Sequence, residues 1–154
     1  MKNKKWLISA VAGIVVALGI GTAFVSFQNS SEVKGNGELE ELHPLQMKKF
    51  MKEDGTGFVM YSFDEDDRSV YMNTVKKALE ENEVNGKEIY SRDPQYDRTK
   101  SRTYYGIDQS PDSLAVYKSG EVKQQIKLDD YDPSQLETEL SHFIETSKEV
   151  YFEE

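Results

Sequence analysis

The sequence predicts an α/β domain, a mixed sheet flanked by helices, set behind one N-terminal transmembrane helix. Three observations point there: an uncharged apolar run near the start, an alternation of helical and strand periodicities after it, and a closing hairpin followed by an amphipathic helix.

The apolar run WLISAVAGIVVALGIGTAFVSF extends from Trp6 to Phe27 without a charge. At about 1.5 Å per residue, a helix of that length crosses the ~30 Å hydrocarbon core once. Lys2, Lys4 and Lys5 precede it, and the first ionisable residues beyond it are Glu32 and Lys34. The positive-inside rule therefore puts residues 1–5 in the cytoplasm and the rest of the chain outside, as a single-pass protein of the cell membrane. A cleaved signal peptide competes, with Gly21-Thr22-Ala23 as a small-x-small site. The run is longer than the roughly 7–15 residues of a signal peptide's apolar core, which favours an uncleaved signal anchor over residues 6–27. Residues 28–41, QNSSEVKGNGELEE, are polar without a periodic apolar face and are expected to form a flexible linker.

The domain is expected over residues 42–148. Pro44 suits a first helical turn, and Leu42, Leu45, Met47, Phe50 and Met51 recur at helical spacing until Gly55 and Gly57. GFVMYSF, residues 57–63, is a continuous apolar and aromatic run, as in a central strand covered on both faces. After the acids Asp64 to Asp67, the residues Val70, Tyr71, Val75, Ala78 and Leu79 mark one face of a second helix ending between Asn82 and Gly86. KEIYSRD, residues 87–93, is a shorter strand closed by Pro94, completing a βαβ unit with parallel strands. Residues 95–105 read as a weakly signalled helix. SLAVYK, the Ser119-Gly120 turn and EVKQQIKL make a β-hairpin. Asp132 as N-cap, Pro133 as first helical residue, and the stripe Leu136, Leu140, Phe143, Ile144 and Ser147 define a last helix, ahead of an acidic tail over residues 149–154.

Composition narrows the chemistry. There is no cysteine, which removes disulfides, thiol nucleophiles and Cys-ligated zinc together. The formal charge is −9, and the exported part is more acidic still because Lys2, Lys4 and Lys5 stay behind. Such a surface repels phosphate backbones, so no nucleic acid is expected as a partner, and cationic or neutral protein partners are favoured. No P-loop, G-x-S-x-G elbow or H-E-x-x-H occurs, so no cofactor and no enzymatic activity are expected.

The order of elements and several details resemble the thioredoxin-like superfamily. Tyr104-Tyr105-Gly106-Ile107, then Pro111, then the strand Leu114 to Lys118 with the turn Ser119-Gly120, is similar to that family's YG-aliphatic turn, strand-entering proline and Lys-x-Gly turn. GFVMYSF resembles the strand that leads into the family's redox motif. The similarity covers about residues 42–146 and looks closest to the small membrane-anchored bacteriocin-transport accessory proteins of Gram-positive bacteria. The family's cysteine positions fall near Glu65 and Arg68, or near Asp67 and Val70, and none is a thiol. Thiol–disulfide exchange is therefore impossible. The proline is displaced by one residue, since the family's cis-proline position falls on Asp112. If Ser110-Pro111 is cis, a groove beside Asp66, Asp67, Ser110, Pro111 and Asp112 keeps a backbone edge for an extended peptide.

Each candidate has a bland counterpart. Asp64 to Asp67 read first as helix capping on a solvated turn, because the EF-hand spacing fails at Arg68 and Val75. His43 and His142 would need convergent carboxylates to bind a metal or act as a base. Arg92, Arg98, Lys100 and Arg102, interleaved with Asp93 and Asp97, read as a salt-bridged segment, and Tyr96, Tyr104 and Tyr105 beside them as a possible partner surface. Tyr151 and Phe152 are expected to pack back on the domain. The functional expectation is a redox-inactive binding or accessory protein for secretion or bacteriocin export. The alternative is an immunity-type protein that binds a cationic toxin or peptide at the membrane.

Overall fold

The computed structural model describes residues 33–153. The predicted cytoplasmic N-terminus (1–5), the predicted anchor (6–27) and the first part of the predicted linker (28–32) lie outside the described residues. Among the described residues no helix is long and apolar enough to cross a membrane. These residues form an α/β domain built on one mixed sheet of five strands: β1 (Leu39–Glu41), β2 (Gly57–Ser62), β3 (Gly86–Tyr90), β4 (Ser113–Lys118) and β5 (Glu121–Lys127). Three α-helices accompany them: α1 (Met47–Lys52), α2 (Arg68–Glu81) and α3 (Pro133–Tyr151). The strand order is β1-β3-β2-β4-β5. β1 and β2 both run parallel to β3, whereas β4 is antiparallel to β2 and β5 antiparallel to β4.

β2 sits in the middle and is buried along its whole length, which is what an unbroken apolar run requires. Its residues alternate between two cores. Phe58 and Met60 join Leu114, Val116 and Ile126 beneath Val75, Leu79, Leu136, Leu140 and Ile144 of α2 and α3. Val59 and Tyr61 join Ile89, Ala115 and Tyr117 on the other face, under Leu42, Met47, Tyr105 and Ile107. Among the described residues that second face is covered by the short α1 and the irregular segment 91–112. A buried amide seals it: Gln109 donates from Nε2 to the Val59 carbonyl (2.9 Å) and accepts from the Tyr117 hydroxyl (2.9 Å). The β4–β5 hairpin closes on Ser119 and Gly120, both in the left-handed region, as a two-residue hairpin turn needs.

Three sequence expectations need correction. Residues 33–41, expected as the end of the linker, are part of the domain. Val33 is 3% exposed, and Leu39 to Glu41 add a parallel edge strand beside Gly86 to Glu88. The Asn85 side-chain oxygen accepts from the amides of Asn36 and Glu38 (both 2.9 Å). Gly37 has φ +87°, and a Cβ there would come within 2.7 Å of the Glu80 Cβ and 2.8 Å of the Lys76 carbonyl oxygen. Glycine thus serves close approach to α2 here, not flexibility.

Residues 95–105 do not form a helix. A 3-10 turn spans Arg102–Tyr105, and the rest is turns held by side chains. Lastly, α3 continues through Tyr151 into the segment expected as a tail, and Phe152 packs edge-to-face on Phe58 with ring centroids 5.8 Å apart.

Candidate functional site

The C-terminal ends of β2 and β3 lie side by side, and the chain leaves both through polar loops. After Ser62 comes Phe63, 52% exposed, and then the acidic turn. Asp64 Oδ1 accepts from the Asp66 amide (2.9 Å), so the turn is closed by its own carboxylate. Asp67 immediately precedes α2 yet makes no side-chain capping bond. The amides of Phe63 and Asp64 donate instead to Asp112 Oδ1 (2.8 and 3.0 Å), across the sheet end. Asp112 has φ +48°, a left-handed conformation that Asp tolerates better than most residues. Ser110-Pro111 is trans. The condition attached to a peptide groove at this edge is thus not met, and two of the amides beside it already serve Asp112.

A cavity of about 400 Å³ opens beside this edge, on the face away from α2 and α3. Its lining combines aromatic side chains (Tyr61, Phe63, Tyr96) with four cations: Arg92, Arg98, Lys100 and Arg102. Pro111 completes the rim. The Tyr61 and Tyr96 hydroxyls are 3.0 Å apart. Burial, followed by that hydrogen bond, pushes the Tyr61 phenol well above its ordinary range, with the Arg102 charge pulling the other way.

The cavity wall depends on a pillar of stacked rings. Tyr96 stacks on Tyr105 at 4.7 Å, and the Tyr105 hydroxyl accepts from the Asp97 amide (2.6 Å). Tyr105 is 2% exposed. Of the three tyrosines proposed as a surface, one is a buried support, one lines the cavity, and only Tyr104 stands out, with the Lys48 ammonium 4.9 Å from its ring.

Among the described residues Asp93 and Asp97 form no ion pair with the basic segment they interleave. Asp97 turns to Thr99, accepting from its hydroxyl (2.7 Å) and amide (2.9 Å), which lowers its pKa. Asp93 turns to His43: Oδ2 lies 2.6 Å from Nδ1, while Oδ1 accepts from the Gln95 amide (2.7 Å). Among the cations, Arg92 pairs with Glu65 (2.9 Å). Arg98 and Arg102 have no ion pair among the described residues.

His43, with Glu41 and the buried Asp93, brings three possible ligand atoms within 4.8 Å. The 2.6 Å contact is a charge-assisted hydrogen bond, shorter than the ~3.3 Å between two ligands of one tetrahedral zinc at about 2.0–2.1 Å. His43 is raised above its ordinary pKa by the hydrogen bond to Asp93, against partial desolvation and with help from the charges of Asp93 and Glu41. The sequence hid this convergence because it depends on β1, a three-residue strand with no periodic signal. His142 is exposed on α3.

On the opposite face Arg68, at the start of α2, makes a bidentate pair with Glu88 of β3 (2.8 Å to each oxygen). Ser62 donates to the same carboxylate (2.7 Å), and the guanidinium lies 3.9 Å from the Tyr90 ring centroid. Arg68, one of the positions where the resemblance puts a family cysteine, is therefore part of an ion pair.

Three further predicted positions fall apart from the cavity. Asp66 lines a shallower cleft of about 240 Å³ with Phe63, Asp64, Glu65 and Arg92. Asp67 lines neither space, and the Ser110 amide donates to Gln125 Oε1 (2.7 Å). Pro111 alone of the five proposed groove residues faces the cavity. No protein-family model matches the chain, and no curated protein matches it.

Proposed function

We propose that this chain is a membrane-anchored, redox-inactive protein of the thioredoxin-like kind that acts by binding, with its domain outside the cytoplasm. Its role is that of an accessory or adaptor beside a secretion or bacteriocin-export system, and it is not an enzyme. One observation carries the binding reading. A cavity of about 400 Å³ opens at the end of the central strand, beside the turn where a thioredoxin would hold its cysteines. The strand order β1-β3-β2-β4-β5 supports the resemblance, being the arrangement expected when a parallel βαβ unit is joined to an antiparallel hairpin. The anchor and the orientation rest on the apolar run and the lysines before it.

Site-directed photocrosslinking in intact cells, from Phe63 at the turn and from Tyr104, tests the adaptor role. A specific protein partner trapped from either position is expected, and no specific partner from either would overturn it. Insulin-reduction activity in the purified chain would overturn the redox-inactive reading.

A second reading has its own observation. A cleft of about 200 Å³ is lined by Glu81, Glu83, Glu145, Glu149 and Glu153 with Lys148. Such a patch suits a cationic peptide, as an immunity-type role requires. Binding of that kind should weaken steeply as salt rises, whereas contact through the aromatic cavity with a neutral partner should persist.

A further inference from the structure

We propose that the cavity at the end of β2 binds a small organic dianion, a phosphate monoester or a pair of carboxylates carried on a flat apolar body. The inference rests on reading this cavity as a binding site, but on neither the membrane anchor nor the family resemblance.

The charge arrangement is the first reason. The chain has 28 acidic against 19 basic residues, so acids are plentiful for neutralising any cluster of cations. Four cations nevertheless line one space, and the two acids interleaved with them in sequence are engaged elsewhere, Asp93 by His43 and Asp97 by Thr99. Glu65 compensates Arg92. Lys100 lies over the Tyr104 ring at 5.6 Å, with Asp97 as a nearby opposite charge. Arg98 and Arg102 have no ion pair among the described residues. Like charges around one cavity repel, and no ion pair among the described residues offsets that cost at these two guanidiniums. A dianion would. Arginine is also the cation whose planar fork matches carboxylate and phosphate oxygens two bonds at a time.

Hydrogen-bond accounting gives the second reason. The Tyr61 and Tyr96 hydroxyls bond to each other, which uses one of their two protons. Among the described residues neither hydroxyl has another acceptor, so one O–H in the cavity remains able to donate. Ser91, also in the lining, already donates to the Phe63 carbonyl (3.0 Å) and can only accept further. The donors left over thus include the Arg98 and Arg102 guanidiniums, the Lys100 ammonium and one phenol, a set suited to an anion.

Shape gives the third. Phe63 meets Tyr61 edge-on with ring centroids 6.3 Å apart, and Pro111 lines the same cavity. These side chains offer apolar surface to a flat group, and about 400 Å³ holds no more than a drug-sized molecule.

Isothermal titration of the full chain in a non-ionic detergent, with phenyl phosphate, isophthalate, benzoate and phenol as probes, tests this. Saturable binding of at least one dianion is expected, at least tenfold tighter than benzoate and with phenol undetected. Raising salt from about 50 to about 300 mM should weaken it several-fold. Arg98→Ser, at an exposed position that no packing depends on, should cost at least fivefold, and Arg98→Ser with Arg102→Ser at least tenfold. Binding of phenol as tight as that of the dianions, or dianion binding unchanged in Arg98→Ser, would overturn the anion inference while leaving the cavity a binding site. Absence of binding by all four probes would overturn the inference, leaving the crosslinking experiment to decide the adaptor role.

Discussion

At the residue scale the informative groups are the ion pairs inside the domain. Glu88 is 5% exposed and pairs with Arg68. Arg68→Met would leave that carboxylate with only the Ser62 hydroxyl. An unpaired buried charge is costly, so urea denaturation should report a loss of about 3 kcal/mol. Replacing both partners, Arg68→Met with Glu88→Leu, should recover most of it, because the desolvation cost disappears along with the pair. His43 offers a pH test. Its folded-state pKa lies above the ordinary value of about 6.5, so protonated His43 favours the folded chain. Its contribution is fully present below about pH 6.5 and is lost as pH rises through the folded-state pKa. The stability difference between the native chain and His43→Gln should therefore be larger at about pH 5.5 than at about pH 9, measured by urea denaturation at each.

At the element scale the strong signals in the sequence are the ones with a single local cause. GFVMYSF is apolar because β2 is buried on both faces, and the Asp132-Pro133 start with its stripe gives α3, whose Leu136, Leu140, Ile144 and Ser147 are all buried. β1 gives no such signal. Leu39-Glu40-Glu41 is an edge strand with two exposed glutamates, held by backbone bonds to β3 and by Asn85, a residue far along the chain. Segment 91–112 is illegible for a related reason: Tyr105, Asp97, Asp93 and Gln109 fix it through side chains, and no periodicity records that. The cavity followed suit. Its cations could be singled out in sequence, but whether Asp93 and Asp97 neutralise them depended on partners brought in by the fold.

A chain beginning at Leu42 would lose Val33 and β1. Burying a side chain such as Val33 contributes about 1.5–3 kcal/mol, so its thermal midpoint should fall by about 10 °C relative to a chain beginning at Val33.

At the scale of the whole molecule, charge is segregated within an acidic domain. Glutamates collect around the ends of α2 and α3, while Arg92, Arg98 and Arg102 gather on the other side of the sheet, at the ends of β2 and β3. Two ligands of opposite sign would thus meet separate surfaces, and the salt titrations above read them independently. The outer strands of the sheet have their own consequence. β1 is three residues long with two glutamates, and β5 exposes Glu121, Lys123, Gln124 and Gln125 along its length. Short or charged borders give a neighbouring copy little to zip onto. The domain should therefore tolerate crowding without forming intermolecular sheets, which leaves it free to meet its ligand one molecule at a time.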